Sequence, residues 1–145
     1  ERVSKAKQGT LEDVALALPA LMRAIKLQKR AARVGFDWPE IDQVLDKMLE
    51  EAHELNDAKN NLSQDEIEEE FGDLLFVMVN FGRHLKIDAE EALRSANAKF
   101  TRRFKHIERA LAERGKTPKQ STLEEMDALW EAAKAIDKAK SATNV

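Results

Sequence analysis

Two acidic clusters stand a short distance apart in the chain, Glu50-Glu51-Ala52-His53-Glu54 and Glu70-Phe71-Gly72-Asp73. Each offers two carboxylates three residues apart: Glu51 with Glu54, and Glu70 with Asp73. A helix turns by about 100° per residue, so such pairs share a face, with Cβ atoms about 5–6 Å apart. Carboxylates are ligands of hard cations, and an all-oxygen set suits Mg²⁺ or Mn²⁺ rather than Zn²⁺ or copper. Four of them meeting between two helices repel one another, and buried charge is costly unless paired or bound to metal. The expectation is a divalent cation, magnesium or manganese, held by Glu51, Glu54, Glu70 and Asp73.

Two helices must position these groups. On the first, Ile41, Val44, Leu45, Met48, Leu49, Ala52 and Leu55 form an apolar stripe. Glu51 and Glu54 follow one edge of it with Lys47 between them, Glu50 points more nearly away, and His53 falls beyond the opposite edge. On the second, Ile67, Phe71, Leu74, Leu75 and Met78 make the stripe. Glu70 and Asp73 lie along its border, in line with Glu66, Asn80 and His84. Asn60-Asn61 ends the first helix, and Ser63 with Glu66 forms a capping box for the second, which ends near Leu85. The competing reading is a solvated charge run, since glutamate favours helices and i,i+4 patterning explains most such runs. The position of both pairs beside apolar stripes weighs against it.

The remaining chain divides into an arm or linker over residues 1–17, a helical domain over 18–136 and a frayed tail over 137–145. Pro19 suits the first turn of a helix carrying Leu21, Met22, Ile25, Gln28, Lys29 and Ala32, which Gly35 stops. Gln28 stands inside that stripe, either as an amide satisfied within the fold or as a contact to a base. Phe36 and Trp38 stack a base or plug one end of a bundle, and packing is favoured. Pro39 opens the first acidic helix. Asp88 with Glu91 caps the next helix, whose stripe is Leu93, Ala96, Phe100, Phe104, Ile107 and Leu111, with Asn97 inside it. Lys99 and Arg103 share one flank, which is ordinary for surface cations but suits phosphate when set beside carboxylates. Gly115 ends this helix. Thr122 and Glu125 box the last one, with Leu123, Met126, Leu129, Trp130 and Ala133 on one face.

At 145 residues the chain fits one domain, with enough length for a core. Charged residues at 35% and hydrophobic ones at 43%, with few Gly and Pro, suit a helical protein. A net charge of −3 gives no general pull toward nucleic acid or an anionic membrane. The absence of cysteine excludes disulfides and thiolate metal sites and is compatible with the cytoplasm. No stretch approaches the ~20 apolar residues of a membrane span, and no signal peptide is evident.

Glu-Glu-x-x-Glu followed by Glu-x-x-Asp resembles the signature of the all-α nucleoside triphosphate pyrophosphohydrolases, the MazG type above all. Further matching text is Lys26-Leu27-Gln28-Lys29-Arg30-Ala31, Gly35-Phe36-Asp37-Trp38, Glu69 to Phe76, and Asn97-Ala98-Lys99-Phe100-Thr101-Arg102-Arg103-Phe104. The resemblance runs from about residue 18 to about 130. It implies an all-α bundle of four to five helices, packed as a homodimer, that cleaves a nucleoside triphosphate to the monophosphate and pyrophosphate. Water attacks the α-phosphorus, with Glu50 or Glu54 as the base. Lys47, Lys99 and Arg103 neutralise phosphate charge, and Asp73, Asn97 and Trp130 complete the substrate site. Base and sugar preference stay open. Two alternatives stand beside this. A ferritin-like di-iron bundle wants two inward Glu-x-x-His motifs, of which only Glu50-x-x-His53 is present. A non-catalytic helical interaction module keeps its acids solvated.

Overall fold

The computed structural model describes residues 9–143. Among them lie five α-helices and no strand: α1 (Ala20–Arg33), α2 (Ile41–Ala58), α3 (Gln64–His84), α4 (Ala89–Glu113) and α5 (Leu123–Thr143), with a single 3-10 turn at Pro118–Gln120. None of these helices is long and apolar enough to cross a membrane. The chain divides into two compact units, one up to Ala92 and one from Leu93 onward.

In the first unit, α1 and α2 both pack on α3. The ends of these helices follow local rules. Gly35, at φ +91°, lets the Gly35 and Phe36 N–H groups close back onto Ala32 and Ala31 after α1. Before α2, the Glu40 N–H donates to Gln43 Oε1, so the helix starts two residues after Pro39. The Asn61 amide donates to Asp57 O at the end of α2, and Asn61 and Leu62 N–H groups both reach Ala58 O. Ser63 then caps α3. Its Oγ accepts from the Glu66 N–H, and Glu66 Oε1 accepts from the Ser63 N–H. The hairpin between α2 and α3 is thereby fixed at both ends, and with it the register of their facing side chains.

The buried face of α2 is Val44, Glu51 and Ala58, one residue every two turns. On α3 it is Val77, Val79 and Asn80, flanked by half-buried Ile67, Glu70 and Leu74. This differs from the stripes expected from hydrophobicity. Leu49, Phe71, Leu75 and Met78 are 51%, 52%, 42% and 50% exposed, while Glu51 takes a core position. The helices are turned so that Glu51 is buried and Glu70 half-buried, in place of Leu49, Phe71, Leu75 and Met78.

Residues 1–8 of the expected arm lie outside the described residues. From Gly9 the chain makes a turn, buries Val14 and joins the Asp13 carboxylate to Arg30 on α1. Of the two expectations for this segment, a linker or a docking arm, its described part is joined to α1 through Asp13 and Arg30.

The second unit is built on Ile107, Leu111 and Leu129, with Phe104, Ala110, Met126 and Trp130 packed against them. Gly115 at φ +72° ends α4 in the same manner as Gly35 ends α1. Thr122 Oγ1 accepts from the Glu125 N–H, but the Glu125 carboxylate does not return to complete the expected box. It is held by Ser121, Arg114 and Lys116 instead. The expected frayed tail is a correction: α5 continues to Thr143, and Asp137 is half-buried and paired with Arg102 and Arg103. The ion pairs explain why the helix does not stop where the apolar pattern fades. The α4 stripe is also shorter than expected, since Leu93 and Phe100 are 50% and 59% exposed and Asn97 is on the surface.

Candidate metal centre

Glu51 precedes the end of α2 by about two turns, and Glu70 follows the start of α3 by nearly the same rise. A short antiparallel hairpin must bring two such positions opposite each other. Carboxylate oxygens of Glu51, Glu70 and Asp73 lie within 4.8 Å of one another. Glu51 is only 7% exposed, Glu70 is half-buried and Asp73 faces solvent.

These acids are incompletely satisfied. Glu51 Oε1 accepts from Lys47 Nζ at 3.1 Å, but Glu51 Oε2 and Glu70 Oε2 are buried with no hydrogen-bond partner among the described residues. Burial pushes the Glu70 carboxyl above its ordinary value, and the charges of Glu54, Glu51 and Asp73 push it the same way. A buried acceptor without a donor costs about 1–3 kcal/mol, more when charged, so natural structures rarely leave two side by side. The donor set is all oxygen, and its unfilled lone pairs fit a hard divalent cation.

The other expected site residues distribute unevenly. Glu54 is exposed and outside the group of three, though near enough for its charge to act on Glu70. Glu50 is exposed and 3.5 Å from Lys47 Nζ. Lys47 is thus engaged by both Glu51 and Glu50, and the hydrogen bond to Glu51 raises its pKa. His53 is exposed and no member of the acidic group, which removes the expected basis for a di-iron design. Asn97, Lys99, Arg103 and Trp130 belong to the second unit. There the Arg103 guanidinium lies 5.3 Å from the centre of the Trp130 ring, and its Nε donates to Asp137 Oδ2 at 2.9 Å. Phe100 packs against the same ring at 5.5 Å between centroids. Arg103 also lines an open cleft of about 560 Å³ beside Glu131, Lys134 and Asp137. Lys99 and Asn97 are exposed, and the Asn97 carbonyl accepts from Thr101 Oγ1.

A second group in the first unit escaped the sequence reading. Asp37, in the turn after α1, accepts from Arg83 and lies 3.2 Å from His84 Nε2, both near the end of α3. Burial works to raise the Asp37 carboxyl, but the hydrogen bonds from Arg83 and His84 more than offset it and hold it below its usual range. Arg83 also donates twice to Asn80 Oδ1. The available signal was the alignment of Asn80 and His84 with Glu70 and Asp73 along one border of α3.

The described residues form an all-helical protein in which three carboxylates converge across a helical hairpin. Residues 40–108, which span that hairpin, match the family model described as the MazG nucleotide pyrophosphohydrolase domain, and the chain carries a domain of that family. It is 48% identical over 136 residues to the nucleoside triphosphate pyrophosphohydrolase of Escherichia coli, covering 92% of this chain and 52% of that protein. It is 41% identical over 133 residues to the nucleoside triphosphate pyrophosphohydrolase/pyrophosphatase MazG of Thermotoga maritima, covering 92% and 51% respectively. A protein of Bacillus subtilis, YabN, is 41% identical over 144 residues, 95% of this chain and 29% of its own length. The chain therefore spans about half the length of the first two relatives.

Proposed function

We propose that this chain hydrolyses nucleoside triphosphates to the monophosphate and pyrophosphate, using a divalent cation held by Glu51, Glu70 and Asp73, with Glu54 beside them. The observation that carries this reading is the pair of buried, partnerless oxygens on Glu51 and Glu70 within a three-carboxylate group. The names of the Escherichia coli and Thermotoga maritima relatives supply the reaction class. Bound there, magnesium or manganese neutralises phosphate charge and lowers the pKa of the attacking water. Lys47 orients Glu51 through the 3.1 Å contact. Glu54, exposed and not committed to Lys47, takes the water proton as the oxygen attacks the α-phosphorus. The bond from phosphorus to the bridging oxygen breaks, and pyrophosphate leaves. Glu50 is the second candidate for that proton, but it is drawn to Lys47. Binding roles for Asn97, Lys99, Arg103 and Trp130 rest on the family resemblance alone.

The exposed apolar row of Phe71, Leu75 and Met78 on α3 supports a homodimer in which a second copy covers it. The cytoplasm, where nucleoside triphosphates are pooled, is the compartment this activity implies. A solvated interaction module fits less well, because Glu51 is 7% exposed. The direct test is a panel of all NTPs and dNTPs with Mg²⁺ or Mn²⁺, scoring pyrophosphate against orthophosphate. Pyrophosphate release that stops in excess chelator is expected; undiminished release in chelator contradicts the cation's role.

A further inference from the structure

A cavity of about 490 Å³ opens in the first unit, with Phe36, Trp38, Phe76, Gln28, Asn80 and Arg83 among its lining residues. It shares α3 with the acids: Asn80 lies two turns past Asp73, about 10 Å along the axis. Gln28 is 7% exposed and Asn80 is 4% exposed, so two buried amides line a largely apolar space that also holds the Asp37 and Arg83 charges.

The orientation of each amide is settled by a partner with only one role to play. Gln28 Nε2 donates to the Phe76 carbonyl at 2.9 Å, and a carbonyl only accepts. The other end of that amide, Gln28 Oε1, is therefore an acceptor, and it is buried without a partner among the described residues. Arg83 only donates, and it gives two hydrogen bonds to Asn80 Oδ1, at 3.2 Å and 2.7 Å. This leaves Asn80 Nδ2 as a donor. Arg83 is itself anchored by Asp37, which His84 also holds from the same end of α3. The chain thus spends an ion pair on fixing which way one amide points.

We propose that Gln28 and Asn80 are a specificity-determining pair that reads a planar heterocycle presenting an N–H donor beside an acceptor, with Asp37 as a positioning residue acting through Arg83. A nucleobase is such a heterocycle, so this inference names the part of the substrate bound here and rests on the pyrophosphohydrolase reading for its place in a reaction. The rings of Trp38, Phe36 and Phe76 supply faces for stacking, which tolerates any base. The amide pair adds the selection. An analogue that cannot donate to Gln28 Oε1 leaves that buried oxygen unpaired.

The test is nucleoside binding to the full chain, measured by calorimetry or NMR without phosphate or metal. Adenosine is compared with purine riboside, which lacks the exocyclic amine, and uridine with N3-methyluridine. In each pair the donor-bearing nucleoside is expected to bind at least about tenfold tighter, the effect of one unpaired buried acceptor. Gln28→Leu should bring each pair within about twofold of each other by removing that acceptor. Asn80→Asp keeps the size and the Arg83 contact but replaces the donor with an acceptor, and should weaken all donor-bearing nucleosides by about tenfold. Asp37→Asn should raise KM for nucleoside triphosphates with little change in kcat, and Asp37→Glu should restore it; a purely structural role would lower thermal stability without that split. Equal binding within each pair in the unaltered chain, or no effect of Asn80→Asp, overturns the proposal. Selective nucleoside binding without pyrophosphate release from any triphosphate overturns the catalytic reading and leaves this one standing.

Discussion

Glu70 and Glu125 are the same side chain on two helices, and their surroundings drive them in opposite directions. Glu125 is wrapped by Ser121, Arg114 and Lys116, and these contacts, the Ser121 hydrogen bond first, bring its carboxyl from 4.5 down to about 2. Glu70 meets burial and the charges of four other carboxylates, and its carboxyl is pushed up. The second unit completes its own acid: Glu125 ties the end of α4 to the start of α5 and needs nothing from outside. The first unit leaves Glu51 and Glu70 each with a buried oxygen that no group among the described residues satisfies. Charge alone does not mark a site; charge that the fold has failed to pair does.

Substitutions can break this contrast, and the largest effect belongs to the unsatisfied side. Asp73→Asn or Glu70→Gln should cut pyrophosphate release by more than the about 10–100-fold typical of residues one step removed from a metal. Glu125→Gln should leave release within about twofold, because that carboxylate is spent on packing. Retained turnover in Asp73→Asn would place the chemistry elsewhere.

The next effect is on stability against pH without divalent cations, followed by urea melts from about pH 2 to 8. Glu70 has a folded pKa above its unfolded value of 4.5, so its contribution is most favourable below 4.5 and is lost as pH rises through the raised value. Glu125 has the reverse sign. Its contribution is present above 4.5 and is lost as pH falls toward about 2. Glu70→Gln should flatten the loss on the rising side, and Glu125→Gln the loss on the acid side. Matching profiles for the two variants would erase the distinction. The smallest effect is Thr122→Ala, which removes the cap of α5 and should cost about 1 kcal/mol in a chemical melt while leaving activity unchanged.

The helices were legible because their ends are written locally: Gly35, Ser63 with Glu66, Asp88, Gly115 and Thr122 all act where the sequence places them. The pairing of Glu51 with Glu70 and Asp73 was legible because a short hairpin leaves one register open. Hydrophobicity misplaced the buried faces, since it ranks Phe71 and Met78 above Glu51 and carries no information on which face meets the neighbouring helix. The ion pairs of Lys47 with Glu50 and Glu51 were not legible, since they are set by side-chain reach rather than by angle. The Asp37–Arg83 link joins residues far apart in sequence, and no periodicity reports such a contact. The extension of α5 to Thr143 likewise depends on Asp137 meeting Arg103.

The most direct measurement is thermal unfolding of the chain against increasing Mg²⁺ or Mn²⁺ at neutral pH, beside Asp73→Asn and Glu125→Gln. A cation bound only by the folded state adds about 2.7 kcal/mol at a hundredfold excess over Kd, which reads as several degrees in Tm. The unaltered chain and Glu125→Gln should rise together, while Asp73→Asn should start higher without metal and respond little. A flat response in the unaltered chain, or an equal rise in Asp73→Asn, would contradict a cation held between α2 and α3.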